Sequence, residues 1–237
     1  MLTTAELITL ADRSMPGLER MNMRDWVLRS ALGSTGRANS VLPIGDPGLG
    51  VDDAIRGVES WYGDRDRPPI FQIFESADDL TAELSAAGYQ PSEPTEVHIA
   101  SIDAIRVGDP GDVVVHDEVP DVIHTLVGDP DRVSEITATP LLKLVGVAGE
   151  ADGCGMGVVD GTAAGIFAMR TAPDAWGRGI GTAIFAALER AADEHGVTDL
   201  WLQVEHSNTR ALEWYERIGF RRVDRYRYWR PPQHAAD

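Results

Sequence analysis

A glycine-rich turn at residues 173–182 reads PDAWGRGIGT and is the most informative stretch of the chain. Its glycines at positions 177, 179 and 181 let the backbone approach a ligand without interference from a Cβ atom. The apolar residues that follow recur at helical spacing: Ile180, Ile184, Ala187, Leu188 and Ala191. Backbone amides at a helix N-terminus bind pyrophosphate, and Arg178 adds a positive charge. The stretch therefore predicts a phosphate-binding turn between a strand and a helix.

The sequence around the turn predicts alternating strands and helices. Strands are expected at Leu141–Glu150, Gly155–Asp160, Gly165–Thr171, Leu200–Glu205 and Phe220–Trp229. Helices are expected from Asp129-Pro130, from Ile180 to a cap at Gly196, and at Thr209–Ile218 with Gly219 as its stop.

The first half repeats this order in weaker form. Strands are predicted at Ala38–Ile44, Pro69–Phe74 and Glu96–Ile102. Helices are predicted at the N-terminus, where Thr3 and Glu6 form a capping box, at Val51–Tyr62, and after a cap at Ser76 and Asp79.

A second motif, VEHSNTRALEWYERIGF, covers residues 204–220. Together the two motifs resemble the GCN5-related N-acetyltransferase family, abbreviated GNAT. In that family a strand leads to a turn of the form Arg/Gln-x-x-Gly-x-Gly/Ala, then a helix, a strand ending before Asn, and a helix finishing Tyr-x-x-x-Gly-Phe. The resemblance spans Val113 to Trp229 and is most specific over Pro173–Phe220. Trp176 departs from it, because the family has Arg or Gln at that position.

The resemblance implies an α/β acyl-CoA N-acyltransferase fold, with a mixed, mostly antiparallel sheet flanked by helices, and acetyl-CoA as co-substrate. The residues it places along the pantetheine arm are Met169, Arg170 and Thr171. Those it places at the pyrophosphate are Gly177, Arg178, Gly179, Ile180, Gly181 and Thr182. Asn208 falls near the thiol end of the cofactor, and Tyr215 falls at the general acid that protonates the leaving thiolate. Both side chains also have simpler readings, Asn208 as a helix N-cap and Tyr215 as a core residue.

The general base is less clear in the sequence. Some family members carry a Glu where this chain has Gln203, and an amide cannot accept a proton. Glu205 lies two residues further along the same strand, hence on the same face, and is the candidate base. His206 is an alternative because its pKa suits proton transfer.

The first half resembles a degenerate copy of the same domain, which divides the chain into residues 1–107 and a catalytic domain at 108–237. Residues 45–50, GDPGLG, occupy the place of the phosphate turn in that copy. They contribute an acid and a proline, so one donor is missing and a phosphate is repelled. The first copy is therefore expected to cover the sheet and shape the acceptor pocket.

Composition limits the partners. The formal net charge of −17 disfavours nucleic acid and favours cationic partners, including amines. No apolar run reaches the ~20 residues of a membrane span, and the N-terminus lacks the order of a signal peptide. The single cysteine, Cys154, excludes an internal disulfide and suits the cytoplasm. The histidines show no metal-ligand spacing, so no metal is predicted.

These features predict an N-acetyltransferase that transfers an acetyl group from acetyl-CoA to a primary amine by direct attack in a ternary complex. The acceptor, a small molecule or a peptide, stays open, as does the choice between monomer and homodimer. A non-catalytic acyl-CoA-binding sensor is the main alternative, and an interaction scaffold is the other.

Overall fold

The computed structural model describes residues 2–33, 35–77 and 80–232. Its helices are α1 (Thr4–Ser14), α2 (Val51–Gly63), α3 (Thr81–Ala86), α4 (Val122–Val127), α5 (Pro130–Thr137), α6 (Ile180–Glu194) and α7 (Thr209–Ile218). The strands of the first half are β1 (Glu19–Met23), β2 (Trp26–Ser30), β3 (Val41–Pro43), β4 (Phe71–Phe74), β5 (Gln90–Pro91) and β6 (Thr95–Ser101). Those of the second half are β7 (Val114–His116), β8 (Leu142–Ala148), β9 (Gly153–Asp160), β10 (Ala163–Thr171), β11 (Asp199–Glu205) and β12 (Arg221–Arg230).

The strands of the described residues join one mixed sheet in the order β1-β2-β3-β4-β12-β6-β11-β10-β9-β8-β7, with β5 paired to the end of β12. Most neighbours are antiparallel, while β10–β11 and β3–β4 are parallel. This is the predicted mixed, mostly antiparallel sheet flanked by helices. The C-terminal strand β12 lies between β4 and β6, so strands from both halves alternate within the sheet. The division at residue 107 and the relationship between the halves stay predictions.

Apolar residues fill both faces of the sheet. One face packs against α6 and α7 through a cluster that includes Leu202, Ile184, Phe185, Leu212 and Ile218. The opposite face packs against α1, α4 and α5 through a cluster that includes Leu7, Ile123, Val133, Met156 and Trp201. Because strand side chains alternate between faces, Leu202 and Trp201 are neighbours in β11 yet belong to different clusters. Full burial of each large apolar side chain contributes roughly 1.5–3 kcal/mol.

Local signals in the sequence placed most of these elements correctly. Helix α7 has the predicted bounds and ends at Gly219 with φ 117°, and the side chain of Thr3 accepts from Glu6 N in the predicted capping box. The strand predicted at Ala38–Ile44 was too long, since residues 36–40 form turns before β3. The predicted cap of α3 was wrong at Ser76, whose hydroxyl donates to Asp224 Oδ2 at 2.6 Å, and Asp79 lies outside the described residues. The hairpin of β1 and β2 was not predicted.

Over residues 2–33, 35–77 and 80–232, no helix combines the length and the apolar character needed to cross a membrane.

Candidate active site

Strands β10 and β11 separate part-way along their length. Their parallel pairing runs from Ala163↔Asp199 to Ile166↔Leu202 and stops there. Beyond it, the register of β10 against β9 shifts between Phe167 and Arg170, and Ala168 adopts φ 52°. A non-glycine residue in the left-handed region costs roughly 1–2 kcal/mol, so the bend is held by its surroundings. The edge of residues 169–171 that faces β11 is therefore left open.

The glycine-rich turn follows this open edge directly. Gly177 and Gly179 have φ 78° and 80°, and no atom lies within 4 Å of a Cβ built at either position. Backbone conformation, and not crowding, is what requires glycine here. Gly179 is the N-cap of α6 and provides no side-chain cap. The amides of the first turn of α6 are therefore free to bind an anion.

A first cavity of about 520 Å³ lies between the turn and α7. The predicted site residues that line it are Met169, Arg170, Thr171, Gly177, Gly179, Ile180, Gly181, Thr182, Asn208 and Tyr215. Arg178 does not line it, because its guanidinium forms a 3.1 Å ion pair with Asp152 Oδ2. Arg210 and Arg217 of α7 also line the cavity, two cations that the sequence reasoning did not identify.

Trp176, the departure from the family pattern, lies at the rim of the first cavity. Its side chain is 63% exposed, and its indole Nε1 donates to Thr171 O at 3.0 Å. This hydrogen bond ties the turn to the end of β10. The indole supplies no charge to the turn.

Tyr215 projects from α7 towards the gap between the strands. It is 8% exposed and packs edge-on against Phe185 and Phe220, with centroid distances of 6.5 and 5.6 Å. Burial raises the pKa of its phenol to about 12. Among the described residues, no group forms a hydrogen bond with its hydroxyl. The hydroxyl is therefore protonated at neutral pH and available to a ligand.

A second cavity of about 330 Å³ lies between β10 and β11. Gln203 and Glu205 line it, together with Arg170, Asn208 and Tyr215, which also line the first cavity. Gln203 Oε1 accepts from the Tyr226 hydroxyl at 3.3 Å, so the amide has a structural partner. Glu205 is exposed at the rim.

His206 lines neither cavity. Its Nδ1 lies 2.8 Å from Glu96 Oε1, and Glu96 Oε2 lies 2.8 Å from His98 Nε2. Burial would raise the pKa of Glu96, but the hydrogen bonds with His98 and His206 outweigh it and lower that pKa. The structure therefore gives His206 a partner outside the cavities and leaves Glu205 as the carboxylate at the second cavity.

Asn208 and Cys154 have clear local environments. Asn208 is the N-cap of α7, where its Oδ1 accepts from Ala211 N at 3.2 Å, and it lines both cavities as well. Cys154 is fully buried, and burial raises the pKa of its thiol to about 11. A thiol in that state is a poor nucleophile. Within residues 2–33, 35–77 and 80–232, no group of three His, Cys, Asp or Glu side chains could hold a metal ion.

Two further residues of the second cavity were not identified from the sequence. Arg37 comes from the loop before β3, and Arg132 comes from the first turn of α5. Both lie far in the chain from the two motifs. The only signal available was their positive charge in an acidic chain.

The geometry can be compared with known proteins. Residues 6–229 match the family described as "Probable histone acetyltransferase Rv0428c C-terminal". The chain belongs to this family. Membership makes it an acyltransferase, in agreement with the prediction from the two motifs.

Solved structures support the same fold. A GCN5-related N-acetyltransferase from Kribbella flavida has a TM-score of 0.71 at 13% identity, covering 97% of this chain and 96% of that chain. A putative GNAT acetyltransferase from Novosphingobium aromaticivorans has a TM-score of 0.59 at 18% identity, covering 92% and 93%. A tandem GNAT protein from the clavulanic acid biosynthesis pathway has a TM-score of 0.59 at 15% identity, covering 78% and 70%. At these identities the likeness shows the GNAT fold alone. No curated protein matched the chain.

Proposed function

We propose that this acyltransferase moves an acetyl group from acetyl-CoA to a primary amine by direct attack in a ternary complex. The observation that carries the proposal is the position of Tyr215, which lines both cavities where they meet. A donor in the first cavity and an acceptor in the second would bring the thioester and the amine together at this side chain.

The residues of the first cavity fit acetyl-CoA. The amides of Gly177 and Gly179 and those of the first turn of α6 suit the pyrophosphate. The open edge of residues 169–171 offers backbone groups to the amides of the pantetheine arm. Arg210 and Arg217 add positive charge on the opposite wall. When bound, acetyl-CoA supplies the activated acetyl group.

The chain's own groups then account for the proton balance. Glu205 accepts a proton from the amine, directly or through water, and Tyr215 donates one to the leaving sulfur. Starting from the neutral amine, one proton leaves the nitrogen and one reaches the thiolate, so the transfer step neither consumes nor releases a proton. Backbone groups at the separated strands stabilise the oxyanion. The buried, neutral thiol of Cys154 supports transfer without a covalent acetyl-enzyme.

Isothermal titration with acetyl-CoA tests the donor site. Wild type is expected to bind with micromolar Kd, and Gly179→Glu is expected to abolish binding by placing a carboxylate at the phosphate turn. Gly161→Glu is the matched control, because Gly161 also has positive φ and open space but lies in the β9–β10 turn. Equal loss in both variants would indicate strain and not a phosphate site.

Release of free thiol in the presence of amines tests turnover. Binding without amine-dependent thiol release would leave the acyl-CoA sensor as the better description. If wild type does not bind acetyl-CoA, neither the transferase nor the sensor has support, and an interaction scaffold becomes the better description.

A further inference from the structure

Three guanidinium groups line the second cavity, from Arg37, Arg132 and Arg170. The chain as a whole carries a net charge of −17, so this concentration of cations runs against its average character. In the described part of the chain none of the three forms an ion pair with a carboxylate. The cavity therefore presents three cations of which none is in ion-pair contact with a carboxylate of the described residues.

Arg132 is close enough to Arg170 and Arg37 to be repelled by each of them. Burial lowers the pKa of Arg132, and the charges of Arg170 and Arg37 lower it further, against weaker opposing effects from Glu135 and Asp129. Like charges that are partly removed from water are stabilised when an anion binds between them. A ligand with a negative group would relieve this repulsion.

The three guanidinium groups differ in their hydrogen bonds to the protein. Arg37 is held in place, since its Nη2 donates to Gln203 O at 3.2 Å and its Nε donates to the Tyr226 hydroxyl at 3.4 Å. Arg170 donates to its neighbour's carbonyl, Met169 O, at 3.0 Å, and to no other group among the described residues. Arg132 is exposed, and within the described residues its guanidinium has no hydrogen-bond partner.

One buried contact connects the two elements that bring Arg37 and Arg132 together. Glu135 of α5 is 1% exposed, and its Oε1 accepts from Asn39 Nδ2 at 2.7 Å while its Oε2 accepts from Thr35 N at 3.3 Å. These hydrogen bonds fix the loop that carries Arg37 to the helix that carries Arg132. The arrangement is therefore built into the fold before any ligand binds.

Glu205 lies at the same cavity, and its negative charge acts on Arg37. The cavity thus combines three cations, one carboxylate and the Tyr215 hydroxyl. This pattern matches a ligand that carries an amine and an acid together.

We propose that the acceptor amine carries an anionic group, a carboxylate or a phosphate, which Arg37, Arg132 and Arg170 bind while Glu205 faces the amine. This inference rests on the proposed function and narrows its substrate class. It also disfavours a lysine-rich peptide, whose neighbouring cations the three arginines would repel.

Matched pairs of amines test the inference in the wild-type protein. One pair is an amino acid and its decarboxylated amine, and the other is O-phosphoethanolamine and ethanolamine. All are assayed at saturating acetyl-CoA. The expected result is a kcat/KM at least about tenfold higher for the anionic member, as a charge-assisted hydrogen bond implies. The carboxylate and phosphate pairs show which anion is preferred. A lysine-rich peptide is assayed alongside as the substrate that the inference disfavours.

Arg132→Glu tests the site directly and is expected to fold normally, because the side chain is exposed and unpaired in the described residues. It should remove the preference for the anionic member and leave the KM for acetyl-CoA unchanged. Arg190→Glu is the control with the same charge change, on the exposed side of α6 outside both cavities. Arg37→Gln is a second test of the same site, and its melting temperature is measured to check that the variant is folded. Loss of preference in Arg190→Glu as well would indicate a general field effect and overturn the proposal.

Binding measurements separate this inference from the proposed function. The same amine pairs are titrated calorimetrically into protein saturated with CoA, where no turnover is needed. Anionic amines that bind more tightly to wild type than to Arg132→Glu support the inference even if no acetyl transfer occurs. Acetyl transfer that ignores the anionic group, or that prefers the lysine-rich peptide, overturns the inference and leaves the transferase function intact.

Discussion

Asn208 and Tyr215 stand seven positions apart, about two turns along α7, and both line the two cavities. Asn208 begins the helix as its N-cap, and Tyr215 carries a hydroxyl without a protein partner in the described residues. The two side chains therefore have different structural roles in α7 and can be tested separately by mutation.

Tyr215→Phe should lower kcat by about a hundredfold, the lower end of what a general acid contributes. The Kd for acetyl-CoA and the melting temperature should change little, because only an unpaired hydroxyl is removed. Steady-state kinetics and calorimetry on the same preparation check this. Parallel loss of affinity and turnover would assign Tyr215 a packing role instead.

Asn208→Ser should keep the melting temperature, since serine also caps helices well, and should raise the KM for acetyl-CoA severalfold. Asn208→Ala should in addition destabilise the protein by about 1 kcal/mol through loss of the cap. Thermal unfolding and KM measurements on both variants separate the two roles. If Asn208→Ser retains the wild-type KM, the side chain is a cap only.

Glu205→Gln should reduce kcat/KM for the amine by about tenfold or more, because the amide cannot accept a proton. The KM for acetyl-CoA should stay constant. His206→Gln is the matched control, since His206 contacts Glu96 outside the cavities. A larger loss in His206→Gln than in Glu205→Gln would reverse the assignment of the base.

The elements around the two motifs could be predicted because their signals are local. Gly219 ends α7 with positive φ, and Gly177 and Gly179 of the turn also have the positive φ for which glycine is suited. The first cavity could be predicted in the same way, since its predicted residues belong to one continuous strand–turn–helix unit and the helix after it.

The second cavity depends on contacts that no local pattern encodes. Arg37 contacts Gln203 across 166 positions of sequence, and this contact depends on the strand order β3-β4-β12-β6-β11 in the sheet. Ser76 illustrates the same point, because a residue suited to capping α3 instead donates to Asp224, 148 positions away. Tertiary pairing overrode the local preference there.

Arg29→Ala should destabilise the protein by roughly 3–5 kcal/mol. Arg29 is 2% exposed and donates to Ser40 O, Ser40 Oγ and Gln72 Oε1 at 3.1, 2.9 and 2.9 Å, with Asp12 Oδ1 at 3.3 Å. Its removal leaves the buried Ser40 and Gln72 acceptors without this donor, whereas Asp12 keeps its ion pair with Arg20. Urea unfolding measures the change.

Arg20→Ala is the control for Arg29→Ala, because Arg20 also pairs with Asp12, at 2.7 Å, but is 37% exposed. Exposed ion pairs contribute at most about 1 kcal/mol. Similar losses in the two variants would show that the buried hydrogen-bond network between β2, β3 and β4 contributes little.

The protein should become less stable above pH ~10, because its buried tyrosines ionise more readily when it is unfolded. Burial raises the pKa of Tyr62 and of Tyr215 to about 12, so the folded state favours the neutral phenol at each position. The stabilisation is complete below the unfolded pKa of ~10 and is lost as the pH rises towards the folded value. Urea unfolding midpoints between pH 8 and pH 11.5 measure this loss. Tyr62→Phe should be less stable at pH 8, because Tyr62 donates to Arg29 O at 2.7 Å, but should lose less stability on going to high pH. A pH dependence equal to that of wild type would assign the alkaline loss to groups other than Tyr62.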